Sequence, residues 1–284
     1  MNEFVQYYHL KQENLKFALD LIQPNDYLTK LDLKDAYFHV KIHKDYKTFL
    51  CFPWKGILYC FTVLPFGQAS APRVFTKLLR PIYATFRQNG IRCCFYIDDS
   101  LMMNQDKLKC KNESLLITQE MDNLGFTINE TKSVLISTQR LEFFGVIIDT
   151  VLLKVFLTEA KINKILSLCV QIISSKTITT RKLSSFIGLC VHAFNAITLA
   201  PLHYRSLERD KIKNLAVYNG DYDSPIALSQ ESTTEVIWWS ENVEKMNGKS
   251  IRKTPIDFFI ETMHQKMVGL HILMVNLQGE DGAL

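Results

Sequence analysis

The chain has 284 residues, of which 47% are hydrophobic and 22% are charged, as in a globular protein with a sizeable core. Its seven cysteines contain no Cys-x-x-Cys pair, which argues against a zinc ribbon or a disulfide framework, and we expect reduced thiols packed as small apolar residues. Residues 1–20 lack the continuous apolar stretch of a signal peptide, so the sequence favours an intracellular protein, in the cytoplasm or nucleus, without membrane contact.

Positive charge is concentrated in the middle of the chain. Residues 151–215 carry ten basic and three acidic side chains, a net charge of +7, whereas residues 1–150 carry +2 and residues 216–284 carry −5. A basic segment of this kind suits contact with a phosphate backbone. A solvated basic helix face accounts for the same charges, and charge alone leaves both interpretations open.

The first predicted elements are strands. Residues 27–33 alternate so that Lys30 and Asp32 share one face of a strand. Residues 47–63 are rich in aromatic and β-branched side chains, and the Pro-Trp-Lys-Gly sequence at residues 53–56 predicts a turn between two strands.

Two helices are predicted in the first half of the chain. One spans residues 70–87, where Ser70 can cap the start, Pro72 suits the first turn and Gly90 ends the element. Residues 113–124 form a second candidate helix, which ends at the glycine that follows.

The chain then continues as a strand over residues 142–148 before it turns helical. Thr158 opens one helix and residues 179–192 form another, so we place a boundary near residues 150–157. Residues 186–202 are interrupted by polar side chains and fall short of the about 20 residues that a membrane span needs. We expect a buried helix there.

Residues 91–103 contain two apolar runs that flank Asp98 and Asp99. This pattern predicts a hairpin with both carboxylates at its bend. Together with Asp32 on another strand, such a bend would supply oxygen ligands for the two divalent metal ions used in phosphoryl transfer from a nucleoside triphosphate. Surface turns also use Asp-Asp freely, so the pair alone does not establish catalysis.

The sequence Tyr-Ile-Asp-Asp at residues 96–99 is similar to the tetrapeptide at the palm hairpin of reverse transcriptases. Thr-Lys-Leu-Asp-Leu-Lys-Asp-Ala-Tyr at residues 29–37 resembles the first catalytic motif of that family. Tyr37 then matches the steric gate, a ring that rejects ribonucleotides by clashing with their 2′-hydroxyl, although core packing is the alternative for Tyr37 alone. The resemblance implies a catalytic triad of Asp32, Asp98 and Asp99. It implies two Mg²⁺ ions, with Mn²⁺ as a possible substitute, bound by Asp32, Leu33, Asp98 and Asp99.

Other segments resemble the remaining motifs of the same family. The Leu-Pro-Phe-Gly-Gln sequence at residues 64–68 is similar to the turn that faces the incoming nucleotide, and Lys132 matches a lysine placed near the triphosphate, with a solvated lysine as the alternative. Residues 143–145 look like the primer grip, a turn that sets the primer 3′ end, and residues 159–194 are similar to the thumb. The implied nucleotide-binding residues are Tyr37, Phe66, Gly67 and Lys132. The implied primer- or template-binding residues are Tyr96, Phe143, Phe144 and Gly145.

The resemblance implies an α+β fold with a polymerase palm, in which an antiparallel sheet carries helices on one face, together with partial fingers and a helical thumb. The implied activity is RNA-directed DNA synthesis, in which a primer 3′-hydroxyl attacks the α-phosphate of a deoxynucleoside triphosphate on an RNA or DNA template. The sequences at residues 71–81 and 90–92 are similar to those of retrotransposons of the DIRS type.

Two other functions stay open at this point. The chain could be a non-catalytic remnant that binds nucleic acid through its basic segment, or has no function. It could also be another palm-type nucleotidyltransferase, such as a nucleotide cyclase, in which the segments like the thumb and the primer grip would have no purpose.

The resemblance also implies how the chain is divided. We expect the chain to begin within the fingers, after the basic residues that clamp the triphosphate, so it should be an inefficient polymerase alone. Read one base earlier, the codons of residues 263–269 are compatible with the opening of an RNase H domain, so we expect a frameshifted tail in which His264, His271 and Asp281 carry no such chemistry. The expected parts are partial fingers and palm at 1–157, a thumb-like segment at 158–215, a connection toward RNase H at 216–262 and the tail at 263–284.

Overall fold

The computed structural model describes residues 2–6 and 8–251, which belong to one compact unit. The expected frameshifted tail and the end of the expected connection lie outside the described residues. The strands are β1 (Tyr27–Asp32), β2 (Cys51–Trp54), β3 (Ile57–Cys60), β4 (Arg92–Tyr96), β5 (Asp99–Asn104), β6 (Val134–Thr138), β7 (Arg140–Phe143), β8 (Val146–Asp149), β9 (Lys154–Leu157), β10 (Ile178–Thr179), β11 (Pro225–Ile226) and β12 (Lys249–Ser250).

Helices dominate after residue 158, as predicted. The α-helices are α1 (Leu15–Leu21), α2 (Ala71–Gln88), α3 (Lys107–Asn123), α4 (Glu159–Ile173), α5 (Thr180–Ala193), α6 (Arg205–Val217) and α7 (Gln230–Asn242). Short 3-10 segments lie at Asn2–Phe4, Ala36–His39, Lys44–Leu50 and Ala200–Leu202. No helix in the described part of the chain is both long and apolar enough to cross a bilayer.

The first sheet is antiparallel, with the strand order β4-β5-β1-β6. Its central pair sets Leu28 of β1 opposite Met103 of β5, and Asp32 opposite Asp99. The strand predicted at residues 27–33 and the hairpin predicted at residues 91–103 are both confirmed.

Helices α2 and α3 cover one face of this sheet. Phe75, Leu79 and Tyr83 from α2 are fully buried there, together with Met121 of α3 and Met102 of β5. The four-residue spacing of the α2 side chains puts them on one stripe of the helix, which is why α2 lies along the sheet. This packing fixes the sheet from the side away from the second sheet.

The second sheet has the strand order β12-β9-β8-β7. Its apolar residues Phe143, Val146 and Ile148 share a core with Leu183 and Phe186 of α5. Strand β9 pairs with both β8 and β12, so chain on either side of the expected boundary at 150–157 contributes to one sheet. The later helices therefore pack directly on this sheet.

The prediction of a single strand over residues 142–148 is wrong, because the end of β7, a turn and β8 form a hairpin there. Phe144 and Gly145 form its two-residue turn, with φ angles of 52° and 66°. Left-handed φ at both turn positions suits the right-handed twist of a hairpin, and Asn-Gly is the usual sequence for it. Phenylalanine in the first position hides this turn from a sequence pattern.

Three helix predictions need correction. Ser70 precedes α2 but its hydroxyl caps no backbone N–H; it accepts a hydrogen bond from the Gln68 side chain at 2.9 Å instead. Helix α3 begins at Lys107, six residues before the predicted start, because the Asp106 side chain accepts a capping bond from the Lys109 N–H. The buried helix predicted at residues 186–202 ends with α5 at Ala193.

The expectation that every cysteine is reduced is wrong for one pair. Cys51 and Cys60 form a disulfide across the β2–β3 hairpin, where they are direct partners in the register. The turn at Lys55 and Gly56, within the predicted turn, sets this register and so brings the two thiols together. The other cysteines are free and buried, as expected: Cys93, Cys94, Cys110, Cys169 and Cys190.

Candidate active site

The two predicted acidic motifs meet at one end of the first sheet. Asp32, the last residue of β1, is the register partner of Asp99, the first residue of β5. The backbone N–H of Leu33 donates to the carbonyl oxygen of Asp98 at 2.9 Å. Ile97 takes a left-handed φ of 55° at the bend between β4 and β5, which lets the chain reverse directly before Asp98. The structure therefore brings Asp32 beside the bend that holds Asp98 and Asp99.

These acids share an environment that disfavours negative charge. Burial raises the pKa of Asp32, and the charge of Asp99 raises it further. Burial also raises the pKa of Asp98, with smaller contributions from Asp99 and Asp32. The positive charge of Lys132 acts in the opposite direction and partly offsets the rise in both pKa values, which indicates that this lysine lies close to the acids. Carboxylates with raised pKa values in one place are typical of functional sites.

Lys30 neutralises one of the acids. Its ammonium lies 2.9 Å from Asp99 Oδ1, and both side chains are largely buried. The sequence analysis put Lys30 on the same strand face as Asp32 but gave it no role, because a strand pattern reveals faces and not ion pairs across a sheet.

Asn129 and Ser133 hold the end of β1 in place. The Asn129 N–H donates to the Asp32 carbonyl oxygen at 2.8 Å, and its side chain bonds the Asp32 carboxylate. Ser133 Oγ accepts from the Asp32 N–H at 3.0 Å. Sequence reasoning missed both residues, since they lie about a hundred positions from Asp32 and no short motif links them.

The donor set of the site suits a hard divalent cation. The three carboxylates offer oxygen ligands of the kind that Mg²⁺ prefers. No three His, Cys, Asp or Glu side chains in residues 2–6 and 8–251 are drawn together into a ready-made metal cluster.

Two of the predicted nucleotide-binding residues are in ring contact near the acids. Tyr37 is 8% exposed and its ring centroid lies 5.1 Å from that of Phe66, which is 60% exposed. Burial raises the pKa of Tyr37, and the charge of Asp98 raises it as well, which couples the phenol electrostatically to the acidic site. Gly67 has a φ of 84°, which glycine adopts without strain. Tyr37 thus belongs to the core and also borders the site.

The predicted primer-binding residues lie on the two neighbouring turns. The rings of Tyr96 and Phe144 pack edge to face with centroids 5.0 Å apart, which joins the β4–β5 hairpin to the β7–β8 turn. Phe143 is 1% exposed and packs in the core against Phe144. The structure therefore leaves the backbone of Gly145 and the ring of Phe144 nearer the surface than Phe143.

Comparison with known proteins agrees with this geometry. Residues 2–148 match the family described as reverse transcriptase (RNA-dependent DNA polymerase). The chain is 25% identical over 191 residues to the Gag-Pol polyprotein of Walleye dermal sarcoma virus, covering 67% of the chain and 10% of the polyprotein. It is 29% identical over 145 residues to the Gag-Pol polyprotein of Koala retrovirus, covering 48% of the chain and 8% of the polyprotein. The chain thus spans about a tenth of these relatives.

Solved structures show the same fold. The foamy viral protease-reverse transcriptase in complex with double-stranded DNA matches with a TM-score of 0.66 at 20% identity, over 88% of this chain and 40% of that one. The same kind of protein in complex with an RNA/DNA hybrid matches with a TM-score of 0.65 at 20% identity, over 87% of this chain and 31% of that one. Because the family match covers more than half of its 284 residues, the chain belongs to the reverse transcriptase family.

Proposed function

We propose that this chain performs RNA-directed DNA synthesis, in which it joins a deoxynucleotide to a primer 3′-hydroxyl with release of pyrophosphate. The observation that carries the proposal is the direct opposition of Asp32 and Asp99 beside Asp98. Asp32 is distant in sequence from Asp98 and Asp99 but lies beside them in space, and acids brought together in this way oppose folding by mutual repulsion. Their conjunction on a reverse transcriptase fold supports a catalytic role.

The acids are the ligands that we propose for two Mg²⁺ ions, or Mn²⁺. The carboxylates of Asp32, Asp98 and Asp99 would bind them together with Leu33, whose only available oxygen is its backbone carbonyl. When bound, such ions stabilise charge on the attacking and leaving oxygens of an in-line displacement. The register pairing of Asp32 with Asp99 and the raised pKa values of Asp32 and Asp98 support this assignment.

The neighbouring residues would bind and orient the nucleotide. Tyr37 packs on Phe75 at its back, with ring centroids 5.7 Å apart, so its ring can act as a fixed wall against a 2′-hydroxyl. Phe66 and Gly67 would lie against the base and sugar. Lys132, which is exposed and electrostatically coupled to the acids, would neutralise the triphosphate and give a proton to the leaving pyrophosphate.

We propose a primer paired with an RNA or DNA template as the partner, and deoxynucleoside triphosphates as substrates. The similar solved structures hold double-stranded DNA or an RNA/DNA hybrid, which supports a duplex ligand. Tyr96, Phe144 and Gly145 would contact the primer end. Four basic side chains that are exposed on the later helices and loops would follow the phosphate backbone. They are Lys176, Arg205, Arg209 and Lys213.

A primer-extension assay on the purified chain tests the proposal. The wild-type chain should extend a DNA primer on an RNA template in the presence of Mg²⁺, and Asp98→Asn should abolish extension. The Asp98→Asn variant keeps the side-chain shape and so separates loss of charge from loss of fold. Extension that survives in Asp98→Asn, or absence of extension by the wild-type chain, would contradict the proposal.

The second candidate is a non-catalytic remnant that binds nucleic acid. The exposed basic side chains favour it independently of the acids. A remnant of this kind would bind duplexes with an affinity that falls steeply as salt rises, and Asp98→Asn would leave that binding unchanged. Salt-sensitive binding without extension would therefore select this function.

We also propose a narrower origin and a location. The sequences at 71–81 and 90–92, which form most of α2 and lead into β4, support a retrotransposon of the DIRS type. Sequencing the genomic DNA on both flanks tests this, and it also tests the frameshift, which an in-frame alternative without an Asp-Ala-Ser opening would contradict. The five buried free thiols support an intracellular location, in the cytoplasm or nucleus, whereas the disulfide of Cys51 does not; cell fractionation decides.

A further inference from the structure

The turn at residues 143–145 is tied to two helices through one lysine and one histidine. Lys161 of α4 donates from Nζ to the carbonyl oxygen of Gly145 at 2.7 Å. His192 of α5 places Nε2 at 2.5 Å from Lys161 Nζ and at 3.3 Å from the same carbonyl oxygen. An ammonium can donate to both acceptors, provided that the imidazole Nε2 carries no proton.

Joining the turn to the helices through Lys161 and His192 costs desolvation free energy. Lys161 is half-buried, and among the described residues no carboxylate lies within ion-pair distance of it. Burial lowers the pKa of Lys161, which the more distant Glu142 on β7 partly offsets. Burial also lowers the pKa of His192, and the charge of Lys161 lowers it further. An apolar contact would join the same elements without this desolvation.

The turn that the pair holds is conformationally strained. Phe144 adopts a left-handed φ of 52°, which is unfavourable for a bulky side chain and persists only where the surroundings impose it. A Cβ atom at Gly145 would collide with Lys161 Nζ, so glycine leaves the space in which the lysine reaches the carbonyl. The Lys161 contact is thus built into the shape of the turn.

The turn is also in contact with the catalytic hairpin. Phe144 packs edge to face on Tyr96, which is two residues before Asp98. A chain of contacts therefore runs from His192 and Lys161 through Gly145 and Phe144 to the hairpin of the acids. A shift of the turn would change the place where a primer end could rest relative to those acids.

We infer that Lys161 and His192 are positioning residues, which fix the Gly145 carbonyl and thereby set the location of the primer 3′ end. The inference rests on the proposed function, because it presumes that the turn at 143–145 contacts a primer. It assigns to these two residues a role in primer placement that is separate from the overall grip on the duplex.

The first test compares two lysines on the same helix. A primer with 2-aminopurine at its 3′ terminus reports the local placement of the end by fluorescence, without any chemistry, while anisotropy reports duplex affinity. Lys161→Met should change the terminal fluorescence and lower kcat for extension about 10- to 100-fold, since small misplacements of reacting groups have effects of that size. Its duplex affinity should stay within twofold of that of Lys164→Met, an exposed lysine three residues later that loses the same charge.

The second test uses the acceptor on His192. His192→Gln keeps a side-chain acceptor for the Lys161 ammonium and should retain at least half of the wild-type kcat, whereas His192→Leu should behave like Lys161→Met. Protonation of His192 would put a second cation beside Lys161, with Glu142 as the offsetting acid. The wild-type kcat should therefore fall as pH falls through the pKa of His192, and His192→Gln should lack that step.

The outcomes separate the two proposals. If the wild-type chain extends primers and Lys161→Met matches Lys164→Met in both fluorescence and kcat, the inference is wrong and the proposed function stands. If the wild-type chain binds the primer end but extends nothing, the proposed activity fails, and the fluorescence of Lys161→Met alone decides the inference. If the wild-type chain binds no primer duplex, both are overturned.

Discussion

The ammonium of Lys30 lies 2.9 Å from the carboxylate of Asp99, within a group of acids that we propose as metal ligands. This lysine supplies, from inside the protein, some of the positive charge that the acids require. It therefore competes with an added divalent cation for the same negative charge, and the two should be energetically linked.

Lys30→Met should consequently strengthen Mg²⁺ binding. Opposite charges about 4 Å apart interact by about 4 kcal/mol at an effective dielectric constant of about 20, and solvent screening leaves a fraction of this. We expect the Mg²⁺ midpoint, read from thermal stabilisation of the protein, to fall about 3- to 10-fold. Lys34→Met, an exposed lysine shortly after β1, is the control and should leave the midpoint unchanged. Equal midpoints in both variants would rule out the competition.

Asp98→Asn should stabilise the metal-free protein while it abolishes extension. Burial raises the folded-state pKa of Asp98, so the folded state binds its proton more readily than the unfolded state does. The stability that this acid contributes is complete at pH below its unfolded pKa and is lost as pH rises through its folded pKa, which makes the ionised form unfavourable at pH 7.5. We expect a gain of about 2–4 °C in Tm at pH 7.5, which corresponds to about 1 kcal/mol.

The gain should shrink at low pH, where Asp98 is protonated in both states. Glu130→Gln removes an exposed carboxylate on the nearby loop and is the control, for which we expect no change in Tm beyond about 1 °C. Differential scanning calorimetry at several pH values checks both statements. An Asp98→Asn variant that melts below wild type at pH 7.5 without metal would contradict the raised pKa assigned to this acid.

Tyr37→Val should relax the choice of sugar. The Tyr37 ring is held by Phe66 and Phe75 and cannot move aside, so its removal opens space for a 2′-hydroxyl. We expect the ratio of kcat/KM for ribonucleotides over deoxynucleotides to rise about 10- to 200-fold, the range that one pocket contact can supply. Tyr37→Phe keeps the ring and should keep the wild-type ratio. An unchanged ratio in Tyr37→Val would leave Tyr37 with core packing as its only role.

Gly145→Ala and Gly188→Ala should change stability in opposite directions. Gly145 has a φ of 66°, which alanine adopts only with strain, so alanine should cost about 1–3 kcal/mol of unfolding free energy; its Cβ would also displace Lys161 Nζ. Gly188 lies inside α5 with no atom within 4 Å of an added Cβ, so alanine should add about 0.5–1 kcal/mol. Urea unfolding of both variants measures the two values. A destabilised Gly188→Ala with a neutral Gly145→Ala would show that the turn tolerates side chains.

Local patterns predicted the elements whose cause lies within a few residues. The apolar runs around Asp98 and Asp99 specified the β4–β5 hairpin, and Gly90 marked the end of α2, because hairpin and helix ends depend on neighbouring residues. The same patterns missed the turn at Phe144, which only the resemblance to a primer grip implied, because contacts from other elements impose a conformation that the residue itself disfavours.

The sequence predicted the acids of the candidate site but not the residues that hold the neighbouring turn in place. Asp32, Asp98 and Asp99 lie in motifs that a family resemblance reveals, and the structure brings their segments together. Lys161 and His192 are separated from Gly145 by 16 and 47 positions, so only the packing of α4 and α5 on the second sheet reveals the link. The Cys51–Cys60 bond depended likewise on register and not on a cysteine motif.

The second sheet carries the Phe144–Gly145 turn at one side and receives β12 at the other, about a hundred residues later in the chain. Hydrogen bonds between neighbouring strands make this four-stranded sheet rigid, because sliding any strand would break several of these bonds at once. A displacement of Lys249–Ser250 would therefore be transmitted through the sheet to the Phe144–Gly145 turn, which we propose to contact the primer.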